Sequence, residues 1–579
     1  FQPSSGFSGF YIQEEDADSD GNPLSSEGIF VYYPTAPDVQ VGDLLRLTGT
    51  ASDYSGLSQL ASITGLEVCA VGTPLPAASP VDLPVTNIND LERYEGMRVS
   101  FVDELTVIES YQLGQYGQLV LSEGGRIANF THLNEPDVNG YNAFTSETAR
   151  RKIILDDGLS ISNPDSIIYP SPELTALNTL RMGDTIPALT GILDYRYSAY
   201  RVQPVGTVDF VHNNLRTSAP ASTSGTLIAA SANVLNYFNT FTQCTNGIGG
   251  IPDDDQCRGA DNAEEFARQR AKIIAQLAAM NADVVGLMEI ENDGYGADSA
   301  LQDLVNGLND ALGAGTYAFI NPDLANGINS MGSDYIRVAM IYKPATLMPV
   351  GDPAVLNVGA FIQVDDISTT GNEVRNRVPL AQSFIEIESG EIFTVVVNHL
   401  KSKGSSCADP VMYLPEGDPD ALDGQGNCNL TRTLAAQNEA AWLEADPTGA
   451  QDPDVLILGD LNSYAYENPI DALKDAGYTD LLLDMVGSSA YGYVYSALYG
   501  YLDHALASPS LKAQVTGITE WHNNADEPTA LDYDMTYKPS RLDTLLYAPD
   551  AYRASDHDPV LVGLSLQETT LVYLPMTFK

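Results

Sequence analysis

Five segments in the C-terminal half of the chain share one pattern, an apolar run that breaks at one end into Asn, Glu, Asp or His. They are ASANVLNYF, ADVVGLMEIEND, FTVVVNHLKSKG, DVLILGDLNSY and YRASDHDPVLVGL. A short apolar run bounded by polar residues is typical of a buried strand. We therefore predict that these strands deliver polar side chains to one rim of a sheet sandwich, and that the functional site lies on this rim.

Two amphipathic segments precede the second and the fourth of these strands and are predicted to be helices, AEEFARQRAKIIAQLAAMNAD and NLTRTLAAQNEAAWLEA. Helices outside two packed sheets predict an α/β sandwich, which we assign to residues 226–566. Residues 213–225 are rich in Ser, Ala and Pro, which predicts a linker that allows movement between domains. Residues 567–579 form a C-terminal tail.

The N-terminal part carries an internal repeat, VGDLLRLTGTASDY at 41–54 and MGDTIPALTGILDY at 182–195. In each copy a Gly-Asp turn leads into a strand, and a strand with an acidic end lies upstream. The repeat predicts two small β-barrels of OB type, over residues 1–85 and 86–212. Because FSGFYIQEE begins almost at Phe1, we expect that a preceding segment was removed and that the first module lacks a strand.

Aromatic side chains in these modules offer stacking platforms for the bases of a single strand, namely Tyr54, Tyr195, Tyr197 and Tyr200. Sheet packing alone also accounts for alternating tyrosines, and the modules contain few Lys or Arg. Nucleic-acid binding by the modules and a merely bracing role are therefore both open.

The rim of the predicted sandwich offers hard oxygen ligands of the kind that Mg²⁺, Mn²⁺ or Ca²⁺ prefers. The candidates are Asn233, Glu289, Asp460, Asn462 and Asp556. His399 and His557 would supply proton chemistry, and Asp503 in YLDHAL is predicted to orient His557. A single Asp or Asn at a strand end more often caps a turn, and His504 on its own is better explained as structural. The prediction rests on the concentration of these groups.

These segments, together with NHLKSKG, GDLNSY, YLDHAL and SDHDPV in that order, resemble the endonuclease/exonuclease/phosphatase superfamily, the DNase I-like fold, over residues 225–566. The resemblance implies that Asn233, Glu289 and Asp556 lie at the metal, Asp460 and Asn462 near the phosphate, that His399 is catalytic, and that His557 is a general base oriented by Asp503. It also implies that Asn398 lies near the scissile phosphate. Asp334 and Arg337 match less closely, as residues that orient His399 or contact the substrate.

Three further phrases narrow the resemblance to large secreted bacterial nucleases of the ExeM type, which also carry OB-like modules ahead of the nuclease. They are RGADNAEEFARQRAKI, GNCNLTR and EWHNNADEPTALDY. Arg and Lys pair with phosphate oxygens, and surface or structural ion pairs are an equal alternative for each. The candidates are Arg258, Arg268, Arg270, Lys401, Lys403 and Arg432.

The formal net charge of −49 over 579 residues argues against a broad cationic surface and would repel polyanions at long range. At seawater-like ionic strength the Debye length shrinks to about 4–5 Å, so remote repulsion is screened. A local metal site and a few cations would then decide binding at the cleft. The charge therefore favours a secreted or cell-surface protein of a marine or halotolerant bacterium.

Four of the five cysteines form close pairs in the chain, Cys244 with Cys257 and Cys407 with Cys428. Neither pair has CxxC spacing, so we predict two local disulfides and an oxidising compartment in preference to a zinc site. Cys69 is left over and is predicted to be a buried thiol.

The segment DADSDGNPLSSE at 16–27 matches a calcium-loop pattern, with Gly21 at the turn. Its proposed Ca²⁺ ligands are Asp16, Asp18, Asp20, Asn22 and Glu27. The flanks are strand-like instead of helical, so a solvated acidic turn is the alternative.

The sequence as a whole predicts a secreted nuclease that uses Mg²⁺ or Mn²⁺ to hydrolyse DNA, with a structural Ca²⁺ and with RNA left open as a substrate. One alternative is a phosphodiesterase or phosphatase of the same fold acting on lipids or small phosphoesters. Another is an inactive nucleic-acid-binding surface protein. No segment reaches about 18 consecutive apolar residues, so no membrane span is expected. We expect a monomer, and endonuclease and exonuclease action are both open.

Overall fold

The computed structural model describes residues 6–35, 37–363 and 375–567. The predicted C-terminal tail therefore lies outside the described residues, except for Gln567. None of the described helices combines the length and the apolarity needed to cross a membrane.

Within the predicted first module, strands between residues 9 and 70 form a sheet with the order β1-β2-β4-β3. Its strands are β1 (Gly9–Gln13), β2 (Gly28–Tyr32), β3 (Leu44–Tyr54) and β4 (Leu57–Ala70). The long hairpin of β3 and β4 buries few side chains, and Phe30, Val31 and Leu57 supply the small apolar core. Cys69 stands at the exposed end of β4. The prediction of a buried thiol is wrong, because the hairpin extends beyond this core.

The predicted second module, residues 86–212, forms a sheet with the order β10-β7-β8-β9-β12-β11-β6-β5, and because β5 lies at residues 79–81 this sheet extends beyond the predicted boundary at residue 85. Its elements are β5 (Ser79–Val81), β6 (Arg98–Phe101), β7 (Leu105–Glu109), α1 (Leu113–Tyr116), β8 (Leu119–Glu123), α2 (Phe130–Leu133), α3 (Val138–Arg151), β9 (Lys152–Leu155), β10 (Thr185–Ile186), β11 (Thr190–Arg196) and β12 (Ala199–Pro204). β6 and β7 are almost continuous in the chain yet lie near opposite ends of the order. The sheet therefore curls around a buried core that includes Val99, Leu121 and Val202.

The C-terminal part contains two mixed sheets, in the orders β15-β16-β14-β13-β26-β25 and β17-β18-β19-β20-β24-β21, and the hairpin β22-β23. The strands are β13 (Leu227–Tyr237), β14 (Val284–Glu291), β15 (Ala318–Phe319), β16 (Ile336–Tyr342), β17 (Leu347–Val355), β18 (Leu380–Glu386), β19 (Ile392–His399), β20 (Val455–Asp460), β21 (Thr479–Asp480), β22 (Tyr493–Tyr495), β23 (Leu498–Gly500), β24 (Asp503–Ala507), β25 (Val515–Glu520) and β26 (Val560–Leu564). Apolar side chains such as Met288, Val397 and Leu458 pack between the two sheets.

The helices of this part are α4 (Ala263–Met280), α5 (Ala300–Leu312), α6 (Asp323–Asn326), α7 (Asn429–Glu444), α8 (Asn468–Asp475), α9 (Leu481–Met485), α10 (Pro509–Lys512) and α11 (Ser540–Leu546). α4 and α5 pack on the outer face of the first sheet, and α7 and α8 pack on the outer face of the second. α4 begins where the Asn262 side chain accepts hydrogen bonds from the amides of Glu264 and Glu265, and it ends at Asn281 with φ 48°. Both predicted helices form, and the predicted α/β sandwich is confirmed.

The second module and the residues after it are held against the sandwich by buried contacts. Leu531, Leu542 and Leu546 of the sandwich belong to the same apolar cluster as the core of the second module. The side chain of Asn214 donates to Asp526 at 2.6 Å, and Arg216 makes two hydrogen bonds to Glu527 at 2.8 and 2.6 Å. The start of the predicted linker is thus held against the sandwich by the hydrogen bond of Asn214 and the ion pair of Arg216.

Candidate active site

Three predicted site residues lie side by side on adjacent strands of the second sheet of the sandwich. His399 at the end of β19 is in register with Asp460 at the end of β20, and Asp460 is in register with Asp503 at the start of β24. The polar ends of these strands meet because β19 and β20 are parallel and β24 runs antiparallel to them. All three side chains are buried.

The facing sheet contributes Asn233 and Glu289 to the same edge. The Asn233 side-chain amide donates to one carboxylate oxygen of Glu289 at 3.1 Å, and the backbone amide of Asn236 donates to the other at 2.9 Å. Glu289 has φ 66°, and Leu235 and Asn236 have φ 51° and 52°. Non-glycine residues in this left-handed region store strain and cluster at functional sites. The irregular ends of β13 and β14 thus turn these groups toward the second sheet.

The loop before β26 brings Asp556 and His557 to the cluster. Nδ1 of His557 lies 2.5 Å from Oδ2 of Asp503, the partner that the sequence predicts. One face of the imidazole packs against the ring of Tyr493, with 4.5 Å between the ring centroids. A histidine held by a carboxylate on one nitrogen presents its other nitrogen in a fixed direction, as a general base requires.

Burial and mutual repulsion shift the titration of the acidic groups. Burial raises the pKa of Asp460 to about 7, although the neighbouring His557 acts in the opposite direction. Burial, and then the charge of Asp556, raises the pKa of Glu289. Burial lowers the pKa of His557, but Asp503 and Asp556 outweigh it and hold that pKa well above its usual value. For Asp460 and Glu289 the positive charge of neighbouring groups does not offset the effect of burial.

This donor set fits a divalent cation. Carboxylates whose ionised form is disfavoured by burial and by each other are stabilised by a bound cation, and the oxygen donors of Asn233, Glu289 and Asp556 are hard ligands. Within the described ranges, the His, Cys, Asp and Glu side chains of this site supply no three ligand atoms within 4.8 Å of one another. A cation held by so few side chains would take its remaining ligands from water or from phosphate oxygens.

On the other side of the cluster, His399 lies between the guanidinium of Arg377 and two carboxylates. Nε2 of His399 lies 3.2 Å from Arg377, 3.5 Å from Asp460 and 3.9 Å from Glu289. Arg377 also donates to Asp334 at 2.9 Å. Burial, and then the charges of Arg377 and His557, lower the pKa of His399 well below its usual value. These surroundings therefore favour the neutral form of His399.

Asn462 is held next to Asp460 by two hydrogen bonds. Its backbone amide donates to one oxygen of Asp460 at 2.8 Å and its side-chain amide to the other at 3.1 Å. Its φ of 48° is again left-handed. The side-chain amide also donates to the Leu400 carbonyl at 3.2 Å, which ties this loop to the end of β19.

The predicted substrate-binding residues divide into two groups. Lys401 and Arg258 are partly exposed beside His399, and both contribute positive charge there. Arg258 lies 3.4 Å from Asp334. Arg337 is fully buried, donates to the carbonyls of Glu291 and Gly294, and stacks on a tyrosine ring, so the structure does not bring it to the cluster. Nor does it bring Asn398 there.

Asn398 precedes His399 on β19, and successive strand residues point to opposite faces. Its side chain donates to Glu439 of α7 at 2.6 Å, on the helix side of the sheet. The remaining predicted cations have internal partners: Arg268 pairs with Asp543, Arg270 with Asp303, Lys403 with Glu467, and Arg432 with the carbonyls of Lys401, Gln425 and Asn427.

Two residues of the site were not singled out from the sequence. Arg377 stands in the segment RNRVPL before β18, and only the path of this loop brings it to His399. Tyr493 lies on the hairpin of β22 and β23, where it covers His557. The run YGYVYSALYGYLDHAL, with aromatics just upstream of Asp503, was an available signal for a ring near the site.

Both predicted disulfides are present, Cys244–Cys257 and Cys407–Cys428. The proposed calcium loop is held together by its own polar groups. Asp20 accepts from the amide of Asn22, Glu27 accepts from Ser19, and Asp16 accepts from the amide of Ala77. Among the described residues, three acidic ligand atoms come within 4.8 Å of one another at Glu14, Glu15 and Asp18. A Ca²⁺ site at 16–27 stays a prediction.

Three of the four tyrosines predicted as stacking platforms line one groove of about 790 Å³ between the two N-terminal modules. They are Tyr54, Tyr195 and Tyr197, and Tyr54 and Tyr197 are largely exposed. Tyr200 donates to Glu92 and packs edge-on against Tyr195. Nucleic-acid binding by this groove stays a prediction.

A model of the Endonuclease/Exonuclease/phosphatase family matches residues 230–557, and a domain of unknown function (DUF8508) matches residues 86–213. No curated protein matches the chain. The human Nocturnin catalytic domain with bound sulfate anion is 15% identical, covers 60% of this chain and 95% of its own, and has a TM-score of 0.33. The Bacteroides thetaiotaomicron mannosyl-6-phosphatase is 16% identical, with 59% and 100% covered and a TM-score of 0.33. D. rerio TDP2 complexed with single strand DNA product is 15% identical, with 58% and 97% covered and a TM-score of 0.32.

Proposed function

Because this chain belongs to the endonuclease/exonuclease/phosphatase family, whose model matches residues 230–557, we propose that it is a divalent-metal-dependent nuclease that hydrolyses DNA phosphodiester bonds. The observation that carries the proposal is the 2.5 Å hydrogen bond between His557 and Asp503. Asp503 in turn lies in register with Asp460, and Asp460 with His399. A fixed base, a set of oxygen ligands and nearby cations are what phosphodiester hydrolysis requires.

In its neutral form His557 takes a proton from a water molecule at Nε2, and Asp503 stabilises the imidazolium that forms. The oxygen of that water attacks phosphorus, the bond from phosphorus to the leaving oxygen breaks, and that oxygen takes a proton from solvent. Glu289 and Asp556, with Asn233, would hold Mg²⁺ or Mn²⁺. A divalent cation there would offset phosphoryl charge and lower the pKa of the attacking water.

Other side chains of the cluster bind and orient the phosphate. Asp460 and Asn462 form a rigid pair beside His557 that we assign to positioning the attack. We assign His399 and the positive charge of Arg377 beside it to binding a phosphoryl oxygen. Lys401 and Arg258 stand at the exposed margin, where neighbouring phosphates of a polynucleotide would pass.

The N-terminal modules are proposed to be OB-like. In the second module, β7-β8-β9-β12-β11-β6 is a sheet whose ends are joined through the nearly continuous β6 and β7, and β9 and β12 are parallel. This order supports a closed barrel. The two disulfides and the net charge of −49 support export to a salty, oxidising medium, as in secreted nucleases of the ExeM type.

The test compares closed circular DNA with linear DNA, each incubated with the purified chain in EDTA and in added Mg²⁺ or Mn²⁺. We expect metal-dependent nicking that His557→Ala abolishes. The control is His212→Ala, which removes a half-exposed histidine that pairs with Asp184 outside the site. Loss of linear DNA alone would indicate an exonuclease. Absence of cleavage with every metal, or equal loss in both variants, would contradict the proposal.

A further inference from the structure

A buried polar segment links the second module to the loop that carries His557. This clamp segment, residues 521–527, contains WHNNADE and runs between the module and the sandwich. Asn523, Asn524, Asp526 and Glu527 are fully buried. Buried polar groups of this density must be paired, and their geometry is then strongly determined.

Asn524 fixes the catalytic loop through its backbone and both ends of its side chain. Its side-chain oxygen accepts from the amides of Ala554 and Ser555 at 2.9 and 3.3 Å, and its side-chain nitrogen donates to the His557 carbonyl at 2.7 Å. Its backbone amide donates to Asp558 at 2.8 Å. Asn524 thus spans the loop from residue 554 to residue 558, on both sides of Asp556 and His557.

Asp558 completes the connection. The amide of Ala525 donates to the same oxygen of Asp558 at 2.9 Å, and Nδ1 of His522 lies 3.0 Å from its other oxygen. The His522 ring is stacked on Tyr491, with centroids 3.8 Å apart. Tyr491 lies two residues before Tyr493, whose ring covers His557. The clamp segment therefore supports His557 through its backbone, by way of Asn524, and through its ring, by way of Tyr491 and Tyr493.

The second module anchors the clamp segment at Asp526. Arg126 lies 2.9 Å from one oxygen of Asp526, and Tyr491 donates to the other at 2.7 Å. The guanidinium of Arg126 also stacks over the Tyr491 ring at 4.3 Å. Arg126 and Arg181, which pairs with Glu527 at 3.0 Å, both come from the second module. The module therefore supplies Arg126 to the buried carboxylate of Asp526, and for Glu527 it supplies Arg181 beside Arg216 of the following segment.

We propose that Asn524 and Arg126 are positioning residues for His557, and that the second module is in this sense part of the active site. The proposal rests on the proposed function, in which His557 is the base. Neither residue contacts the reacting atoms. Arg126 acts through Asp526, and Asn524 acts through the backbone of residues 554–558. A displacement of the base by about 1 Å is enough to lower turnover about 100-fold.

The test measures kcat and KM for DNA in the full chain carrying Arg126→Met, Arg126→Lys, Asp526→Asn or Asn524→Ala. The control is Arg201→Met. Arg201 and Asp156 form a pair at 2.5 Å inside the second module, away from the clamp segment, in which the Arg side chain is even less exposed than that of Arg126. We expect kcat to fall about 10- to 100-fold in Arg126→Met and Asn524→Ala with little change in KM. Arg126→Lys should recover part of the loss, and Arg201→Met should keep wild-type kcat.

A second measurement does not depend on activity. The proton on Nδ1 of His557 should resonate far downfield because of its short hydrogen bond to Asp503, and His557→Ala identifies it among six histidines. We expect this resonance to shift in Arg126→Met and Asp526→Asn and to stay in place in Arg201→Met. An unmoved resonance in the folded variants overturns the inference, whether or not the chain cleaves DNA.

The kinetic results separate the two proposals. Wild-type kcat in Arg126→Met, with loss in His557→Ala, overturns the inference and leaves the nuclease. A loss in Arg201→Met as large as that in Arg126→Met also overturns it, because any damage to the module would then suffice. An inactive wild-type chain contradicts the proposed function, and the resonance then decides the inference alone.

Discussion

Replacing Asp503 by Asn removes a charge from the base while keeping the size of the side chain. Nδ1 of His557 lies 2.5 Å from Asp503, and the two side chains are 7% and 2% exposed. A buried hydrogen bond to a charged group contributes about 1.5–3 kcal/mol. Since about 1.36 kcal/mol corresponds to a tenfold change in rate, we expect kcat to fall about 10- to 150-fold.

The pH profile gives the same substitution a more specific signature. Asp503 is the first of the carboxylates that raise the pKa of His557 against burial. In Asp503→Asn that pKa falls, so His557 becomes a neutral base at lower pH, and the acid limb of the kcat profile should move to lower pH. The assay is nicking of closed circular DNA under saturating Mg²⁺ across the pH range.

The control is Asp480→Asn, because Asp480 lies 3.1 Å from Nδ1 of His504 in an equally buried Asp–His pair. Asp480 also caps α9. This control should lower Tm and leave kcat near the wild-type value. Wild-type kcat in Asp503→Asn, or an equal loss in Asp480→Asn, would refute the assignment of His557 and Asp503.

Three further predictions concern stability. Burial lowers the pKa of His132 to about 4. Below about pH 6.5 the unfolded chain binds a proton at this residue that the folded chain does not, so the free energy of unfolding should fall by about 3 kcal/mol toward pH 4. His132→Phe should reduce this loss, as measured by urea titrations at several pH values. Gly459 has φ +129°, and an added Cβ would lie 2.1 Å from the Asn398 carbonyl oxygen, so Gly459→Ala should lower Tm and activity together; an active, stable variant would contradict this. Replacing Cys407 and Cys428 by Ser should lower the free energy of unfolding by about 3 kcal/mol, whereas an unchanged urea midpoint would show that the disulfide has no such effect.

The sandwich was predictable from sequence because its strands and helices have unambiguous periods. The apolar runs of β14, β19 and β20 are too short for helices, and α4 carries its own N-cap and acidic first turn. The grouping of polar residues at strand ends follows from the same argument. His399, Asp460 and Asp503 meet because each stands at the end of a strand that faces the same rim.

Other features depend on tertiary contacts that the sequence pattern does not contain. Side chains alternate along β19, so if His399 faces the site, its neighbour Asn398 must face away from it. The sequence therefore already contained an argument against placing Asn398 near the phosphate. Arg337 and Arg377 have the same chemistry, but one is buried against carbonyls and the other reaches His399. Docking of the second module likewise had no periodic signature, because it rests on a few apolar residues such as Leu542 and on single polar residues such as Arg126.

The in-register row of His399, Asp460 and Asp503 limits which changes in chain length the sandwich can tolerate. Side chains alternate along a strand, so one residue inserted or deleted within β20 would turn Asp460 away from its neighbours on β19 and β24. Point substitutions elsewhere in β20 would leave this row intact. Libraries that vary this protein by insertion and deletion should therefore retain active members with altered loops, and none with altered length in β20.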